Sequence, residues 1–161
     1  MKNLTIALAF LMTFSLPVMA QDFQKGFAAY NAGDFATALK EWKPLAEAGD
    51  ASSQYNLGYM YTMGEGVLKD YKEAVKWYRL AAEQGFPKAQ SFVGLMYEYG
   101  NGVLQSNVMA HMWYNIASAN GHSKAGEDRD ERAGLMTQED ISNAQAMARE
   151  CINSGYKKCG Y

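Results

Sequence analysis

The sequence predicts an all-α protein, an α/α superhelix (solenoid) of about four antiparallel helix pairs. Three observations carry this. The chain repeats itself: at an offset of 36 residues, Gln54, Gly58, Met60, Tyr61, Gly64, Gly66, Val67 and Leu68 fall on Gln90, Gly94, Met96, Tyr97, Gly100, Gly102, Val103 and Leu104. Ala74, Trp77, Tyr78, Ala81 and Gly85 fall likewise on Ala110, Trp113, Tyr114, Ala117 and Gly121. These are 13 identities over 36 positions, where chance gives about two, and a period of this length marks a stacked array. Composition is the second observation. Three prolines among 161 residues, with abundant Ala, Met, Leu, Gln and Lys, favour helix. The third is punctuation: glycines fall at regular stops between apolar stripes of helical period.

The leader comes first in the chain. Lys2 precedes an apolar run from Leu4 to Leu16, and Val18-Met19-Ala20 offers small residues for cleavage after Ala20. Residues 1–20 read as a secretory signal peptide, too short in its apolar part for a membrane anchor. Residue 21 is Gln, so the cysteine that lipid attachment would need is absent there. Residues 21–161 are then expected as one repeat domain. Its units are about 22–49 (degenerate), 50–85 and 86–121, with a capping pair at 122–161. The net charge is −2, and loss of the leader removes Lys2 and no acid. That balance gives no electrostatic case for nucleic acid or anionic lipid.

Within the units, the elements follow in order. Phe23 to Asn31 and Asp34 to Ala48 form the first pair, joined by a tight turn at Gly33 that is four residues shorter than the later loops. Helix A of the second unit runs from about Ala51 to Met63, with Leu57, Gly58 and Tyr61 on one face. Gly58 and its copy Gly94 sit mid-helix, where glycine costs about 1 kcal/mol against Ala; a closely approaching neighbour is the expected reason. Gly64 ends the helix and Gly66 lets the chain turn. Val67 and Leu68 are expected to plug the space between the two helices. Asp70 caps helix B, with Glu73 completing a capping box. Helix B runs from about Tyr71 to Gln84 and buries Ala74, Trp77, Tyr78 and Ala81. The third unit repeats this through Gly100, Gly102, Trp113 and Tyr114. His122 to about Leu135 is a charged helix, and Thr137 starts the last one, which runs to about Asn153. A polar end-cap keeps a stacked array soluble.

Two cysteines, Cys151 and Cys159, lie near the C-terminus. Along one helix they would stand about 12 Å apart, too far for a disulfide. They can bridge if the chain turns back at Gly155, and export permits the bond. A two-cysteine metal site is the weaker alternative, because neither histidine lies near them in sequence. No metal or cofactor is expected.

The pattern Ser53-Gln54, Leu57-Gly58, Tyr61, Gly64, Gly66-Val67, then Asp70, Ala74, Trp77-Tyr78, Ala81-Ala82, Gly85 resembles the Sel1-like repeat, a relative of the tetratricopeptide repeat with a longer intra-repeat loop. The second copy departs at Val93, Ser106 and Ser118. The tail through Cys151 and Cys159 is similar to that of exported bacterial members. The resemblance implies an α/α superhelix that binds other proteins or peptides. Some cysteine-rich exported members are described as β-lactamase-like, and it is the lack of a complete catalytic motif that leaves no enzymatic activity expected here.

The candidate sites are weighed on that background. The loop Gly64-Glu65-Gly66-Val67-Leu68 precedes a helix, as anion-binding loops do. It lacks the Walker pattern, and Asp70 stands where phosphate would go, so its role is structural. His111 and His122 belong to no metal or catalytic motif. Ser154-Gly155-Tyr156-Lys157 matches the first motif of serine β-lactamases, but the other two are absent. The binding surface is expected on the exposed face of the A helices: Phe27 and Tyr30, then Tyr55, Tyr59 and Met63, then Leu95, Glu98 and Tyr99. Phe23, Thr62 and Ser91 fall on the same face. Large adaptable side chains of this kind suit recognition. The function so read is an exported interaction module or scaffold of the bacterial envelope, in the Gram-negative periplasm or secreted beyond it. The alternatives are a periplasmic inhibitor or immunity protein that binds a toxin, and a β-lactamase-like hydrolase.

Overall fold

The structure, a computed structural model, describes residues 22–160. The leader lies outside the described residues. Eight α-helices follow one another with no strand among them: α1 (Phe23–Asn31), α2 (Phe35–Glu47), α3 (Ala51–Met63), α4 (Tyr71–Ala82), α5 (Pro87–Tyr99), α6 (Asn107–Ala119), α7 (Ala125–Ala133) and α8 (Gln138–Asn153). Each helix from α1 to α6 packs on the next, and α7 and α8 both pack chiefly on α6. Helix α7 thus follows α6 as an A helix would, while α8 covers α6 instead of pairing with α7 as a B helix would.

The helix starts are set by side-chain oxygens. Asp22, Asp34, Asp50, Asp70, Ser106 and Thr137 each accept hydrogen bonds from backbone N–H groups of the first turn. This satisfies donors that have no partner within the helix. The expected capping box at Asp70 does not form. The Asp70 N–H donates to the Tyr61 carbonyl at 3.0 Å, and Glu73 turns outward to pair with Lys76 at 2.6 Å. The third unit repeats that latch, with Ser106 N–H on the Tyr97 carbonyl at 2.9 Å. Helix α7 begins three residues later than expected, because His122 to Lys124 form a turn closed by Ala125 N–H on the His122 carbonyl.

The mid-helix glycines receive an aromatic ring. A Cβ on Gly58 would stand 2.6 Å from Tyr78 Cδ1, and one on Gly94 would stand 2.8 Å from Tyr114 Cδ1. Gly26 relates in the same way to Trp42, at 2.5 Å from its Nε1. Trp42, Tyr78 and Tyr114 occupy one repeat position, and each ring takes the space that the glycine's missing side chain leaves empty. Burial pushes the Tyr78 and Tyr114 hydroxyls far above the ordinary phenol range, so both rings remain neutral.

The loop glycines make a different contact. A Cβ on Gly66 would meet Phe35 Cβ at 2.8 Å, and one on Gly102 would run into the Tyr71 carbonyl. Phe35 and Tyr71 open the B helices of the preceding units. Each loop thus lies across its predecessor, and the loop is a joint between units rather than within one. Val67 follows this contact and packs with Ala38, Trp42, Leu57 and Met60. Leu68 does not plug anything: it is 91% exposed, and Leu104 is 89% exposed.

A buried polar ladder runs through the stack. Gln54 Nε2 donates to the Ala46 carbonyl at the end of α2, at 3.0 Å. Gln84 Nε2 donates to Gln54 Oε1 at 2.8 Å. One unit on, Gln90 bonds the Ala82 carbonyl at 3.0 Å and Asn120 bonds Gln90 at 2.8 Å. Each glutamine is a second donor to a helix-end carbonyl that already accepts a backbone N–H, from Gly49 on Ala46 at 3.0 Å and from Gly85 on Ala82 at 2.9 Å, and so ties its own helix to the preceding one.

The ladder ends in the tail. Cys151 and Cys159 form a disulfide with Cα atoms 4.6 Å apart. The turn between them places Gly155 and Tyr156 in the left-handed region, both at φ 65°. Tyr156 OH meets the Asn120 amide at 2.8 Å, and its ring lies over Gly85, Cε2 standing 3.1 Å from where a Cβ would be.

Candidate binding face on the A helices

The candidate residues on α1, α3 and α5 fall into three groups. The first group converges. Phe27, Tyr30 and Asn31 of α1, Tyr55, Asn56 and Tyr59 of α3, and Trp42 beneath them enclose an open cavity of about 170 Å³. The Tyr30 and Tyr59 rings stand edge to face, 6.4 Å apart, and Tyr30 packs on Trp42 at 5.5 Å. The Tyr30 hydroxyl donates to the Glu65 carboxylate in the next unit's loop. Burial, then that bond, holds the Tyr30 hydroxyl far above the ordinary range, and burial raises Tyr55 as well. The cavity is therefore a neutral aromatic one with two amides at its edge.

The second group holds the structure together. Glu98 accepts a hydrogen bond from Tyr114 OH at 2.6 Å and faces Arg132 of α7 at 3.6 Å. It ties α5 to α6 and α7, which corrects its expected place on a free surface. Ser91 is buried. Thr62 donates to the Gly58 carbonyl at 2.8 Å and lies 3.2 Å from Tyr78 OH. Phe23 packs on Trp42 at 6.0 Å.

The third group is exposed but stands apart. Met63 and Tyr99 end α3 and α5, both largely in solvent, and neither lines the cavity. Leu95 lines a second cavity of about 180 Å³ with Ser91, Phe92, Tyr114, His122, Lys124 and Asp128.

Besides Asn31 at the end of α1, three residues that matter here were not among the expected ones. Asn56, Phe92 and Trp42 lie at the bottom or edge of the face. Trp42 was signalled by its register with Tyr78 and Tyr114. Asn56 and Phe92 share one repeat position and differ in chemistry, so no identity marked them.

The remaining candidates are accounted for by packing. His111 is buried in α6; burial, then Arg129, lowers its pKa. Ser154 caps the end of α8: its hydroxyl donates to the Cys151 carbonyl at 2.8 Å and accepts from the N–H groups of Lys157 and Lys158. No group of metal-ligating side chains occurs among the described residues. No helix among them is long and apolar enough to cross a membrane.

Comparison with known proteins agrees with this architecture. Residues 51–86 and 87–122 each match the Sel1 repeat family. A solved protective antigen present in uropathogenic Escherichia coli strains, displaying an SLR fold, superposes with a TM-score of 0.77 at 29% identity. The match covers 81% of this chain and 30% of that one. A Sel1 repeat protein from Oxalobacter formigenes superposes at 0.64 with 35% identity, over 67% of this chain and 44% of its own. The chain thus spans less than half the length of either. No curated protein matched. None of the matches indicates a catalytic family.

Proposed function

We propose, from the premise that this chain is a Sel1-like repeat protein, that it is an exported interaction module whose A-helix face receives a protein or peptide partner in the bacterial envelope. The observation that carries this reading is the open aromatic cavity over Trp42, lined by Phe27, Tyr30, Tyr55 and Tyr59. Aromatic side chains bring large contact area at small entropic cost, and they dominate binding energy at protein interfaces. Export rests on the leader and on the Cys151–Cys159 disulfide, a bond that persists in oxidising compartments. A scaffold role and an inhibitor role would both use this face.

The test compares the protein with a Phe27→Ser/Tyr59→Ser variant as bait in an envelope extract. Phe27 is half exposed, so the variant should retain its helical circular dichroism. A partner captured by the protein and lost with the variant supports the reading. A partner captured equally by both contradicts it.

A further inference from the structure

The three grooves between successive A helices share one backbone plan, and one side chain decides whether each is open. Asn56, Phe92 and Asp128 occupy that deciding position, 36 residues apart. In the first groove Asn56 stands at the edge and the cavity over Trp42 is open. In the middle groove Phe92 fills the same place. Its ring packs on Tyr78 at 5.1 Å, on Tyr55 at 5.5 Å and on Tyr59 at 6.1 Å. In the third groove Asp128 returns a small polar side chain, and the cavity over Tyr114 is open again. Leu95 stands there where Phe27 stands in the first groove.

The two open cavities differ in charge. The first holds no charged side chain. The third has an apolar wall of Phe92, Leu95 and Tyr114, with the Asp128 carboxylate and Lys124 at its edge. Asp128 is the more sheltered member of its ion pair: its side chain is 22% exposed, against 72% for Lys124, and the two stand 3.7 Å apart. That separation is beyond hydrogen-bond contact, so Lys124 can move to water as another cation arrives. His122 Nδ1 is buried beside it with no partner among the described residues. A basic side chain fits this cavity, its methylenes along the apolar wall and its head on Asp128.

We infer that the A-helix face takes an extended segment with two anchors, an apolar side chain over Trp42 and an arginine or lysine at Asp128, with the Phe92-filled groove between them. This rests on the face being the binding surface, and it adds the chemistry and spacing of the partner. Aromatic rings bridge α1 to α3 and α3 to α5, so successive A helices stand on the order of 10 Å apart and two steps span roughly 20 Å. An extended chain covers that in about six residues. Joining two anchors on one chain raises affinity only when their spacing matches the span.

The test uses fluorescein-labelled peptides on a Gly-Ser background, followed by anisotropy with the purified protein. One set carries Phe and Arg separated by five residues, in both orders. Controls carry one intervening residue, Phe alone, or Glu in place of Arg. The wide Phe–Arg peptide should bind at least about tenfold tighter than any control. Asp128→Asn should remove that gain while leaving Phe-alone binding unchanged, and Phe92→Asn should let the closely spaced peptide bind better. Binding of Phe alone with no gain from a spaced Arg, or an equal gain from Glu, would overturn the two-anchor inference only. Failure of every peptide to bind would overturn it together with the A-helix face.

Discussion

At the N-terminal end, Ala38, Trp42, Ala46, Leu57 and Met60 form a small cluster of their own, and the cavity above Trp42 stays open. At the C-terminal end, twenty buried residues from α4 to the disulfide form one continuous cluster, closed by Tyr156. The repeat plan is the same at both ends. The difference lies in what covers the last exposed helix. On the outer side of α1, Phe27 is half exposed and Tyr30 is partly buried. Beyond α6, by contrast, α7, α8 and the cystine loop supply a cover. A stacked array needs a cap where it is to be stable, and it can leave apolar groups open where it is to bind. The larger, covered cluster lies in the second half, and the uncharged open cavity of the proposed binding face lies in the first.

The largest expected effects test this division directly. Trp113 is fully buried in the larger cluster, and Trp113→Ala should cost about 3–5 kcal/mol and lower the main thermal transition. Trp42→Ala should cost a similar amount but act locally, so that α1 and α2 melt early and the rest of the circular dichroism persists. Equal loss of the whole signal in both variants would make the two clusters a single cooperative unit. Next in size is the cystine. Replacing Cys151 and Cys159 with serine should destabilise the second half by about 2–3 kcal/mol and leave the Trp42 region unchanged, as read by hydrogen exchange. Tyr156→Phe should cost about 1 kcal/mol, the net worth of a hydrogen bond, through the loss of the Asn120 contact.

The smallest effect concerns pH. Burial, then Arg129, lowers the His111 pKa, with Asp130 opposing. A lowered histidine pKa means that the unfolded chain takes the proton first. The sign is therefore a loss of stability as pH falls through the ordinary histidine range toward the lower folded value, and no contribution above that range. Val75 is the buried residue at the equivalent position, so His111→Val should flatten the melting temperature between pH 7.5 and pH 5.5. A slope unchanged by that substitution would assign it to other groups.

Much of this was legible in the sequence, because helix bounds depend on local signals. The capping aspartates, the stop glycines and the apolar stripes place α1 to α6 within one or two residues. The recurrence of Gly58 and Gly94 foretold a close approach, and the rings of Tyr78 and Tyr114 supply it. The relations between units were less visible. Gln54 and Gln90 stood out as repeated residues, but a bond to the preceding helix end has no signature in periodicity. Gly66 and Gly102 read as turn residues, while their contacts are with Phe35 and Tyr71, more than thirty residues earlier. Leu68 read as a core residue because it is apolar and repeated, yet it stands in solvent. On the binding face, periodicity found Phe27, Tyr30, Tyr55 and Tyr59 but could not separate them from Glu98, whose carboxylate is engaged by Tyr114 and Arg132. The position shared by Asn56, Phe92 and Asp128 was hidden by its own variety.

The central claim is that recognition occurs on the A-helix face, and amide chemical-shift mapping with the wide Phe–Arg peptide tests it most directly. The account predicts shifts confined to α1, α3, α5, the first turn of α7 and the turn before it, including Asn31, Asn56, Leu95 and Asp128. Shifts centred instead on the loops that carry the exposed Leu68 and Leu104 would contradict it.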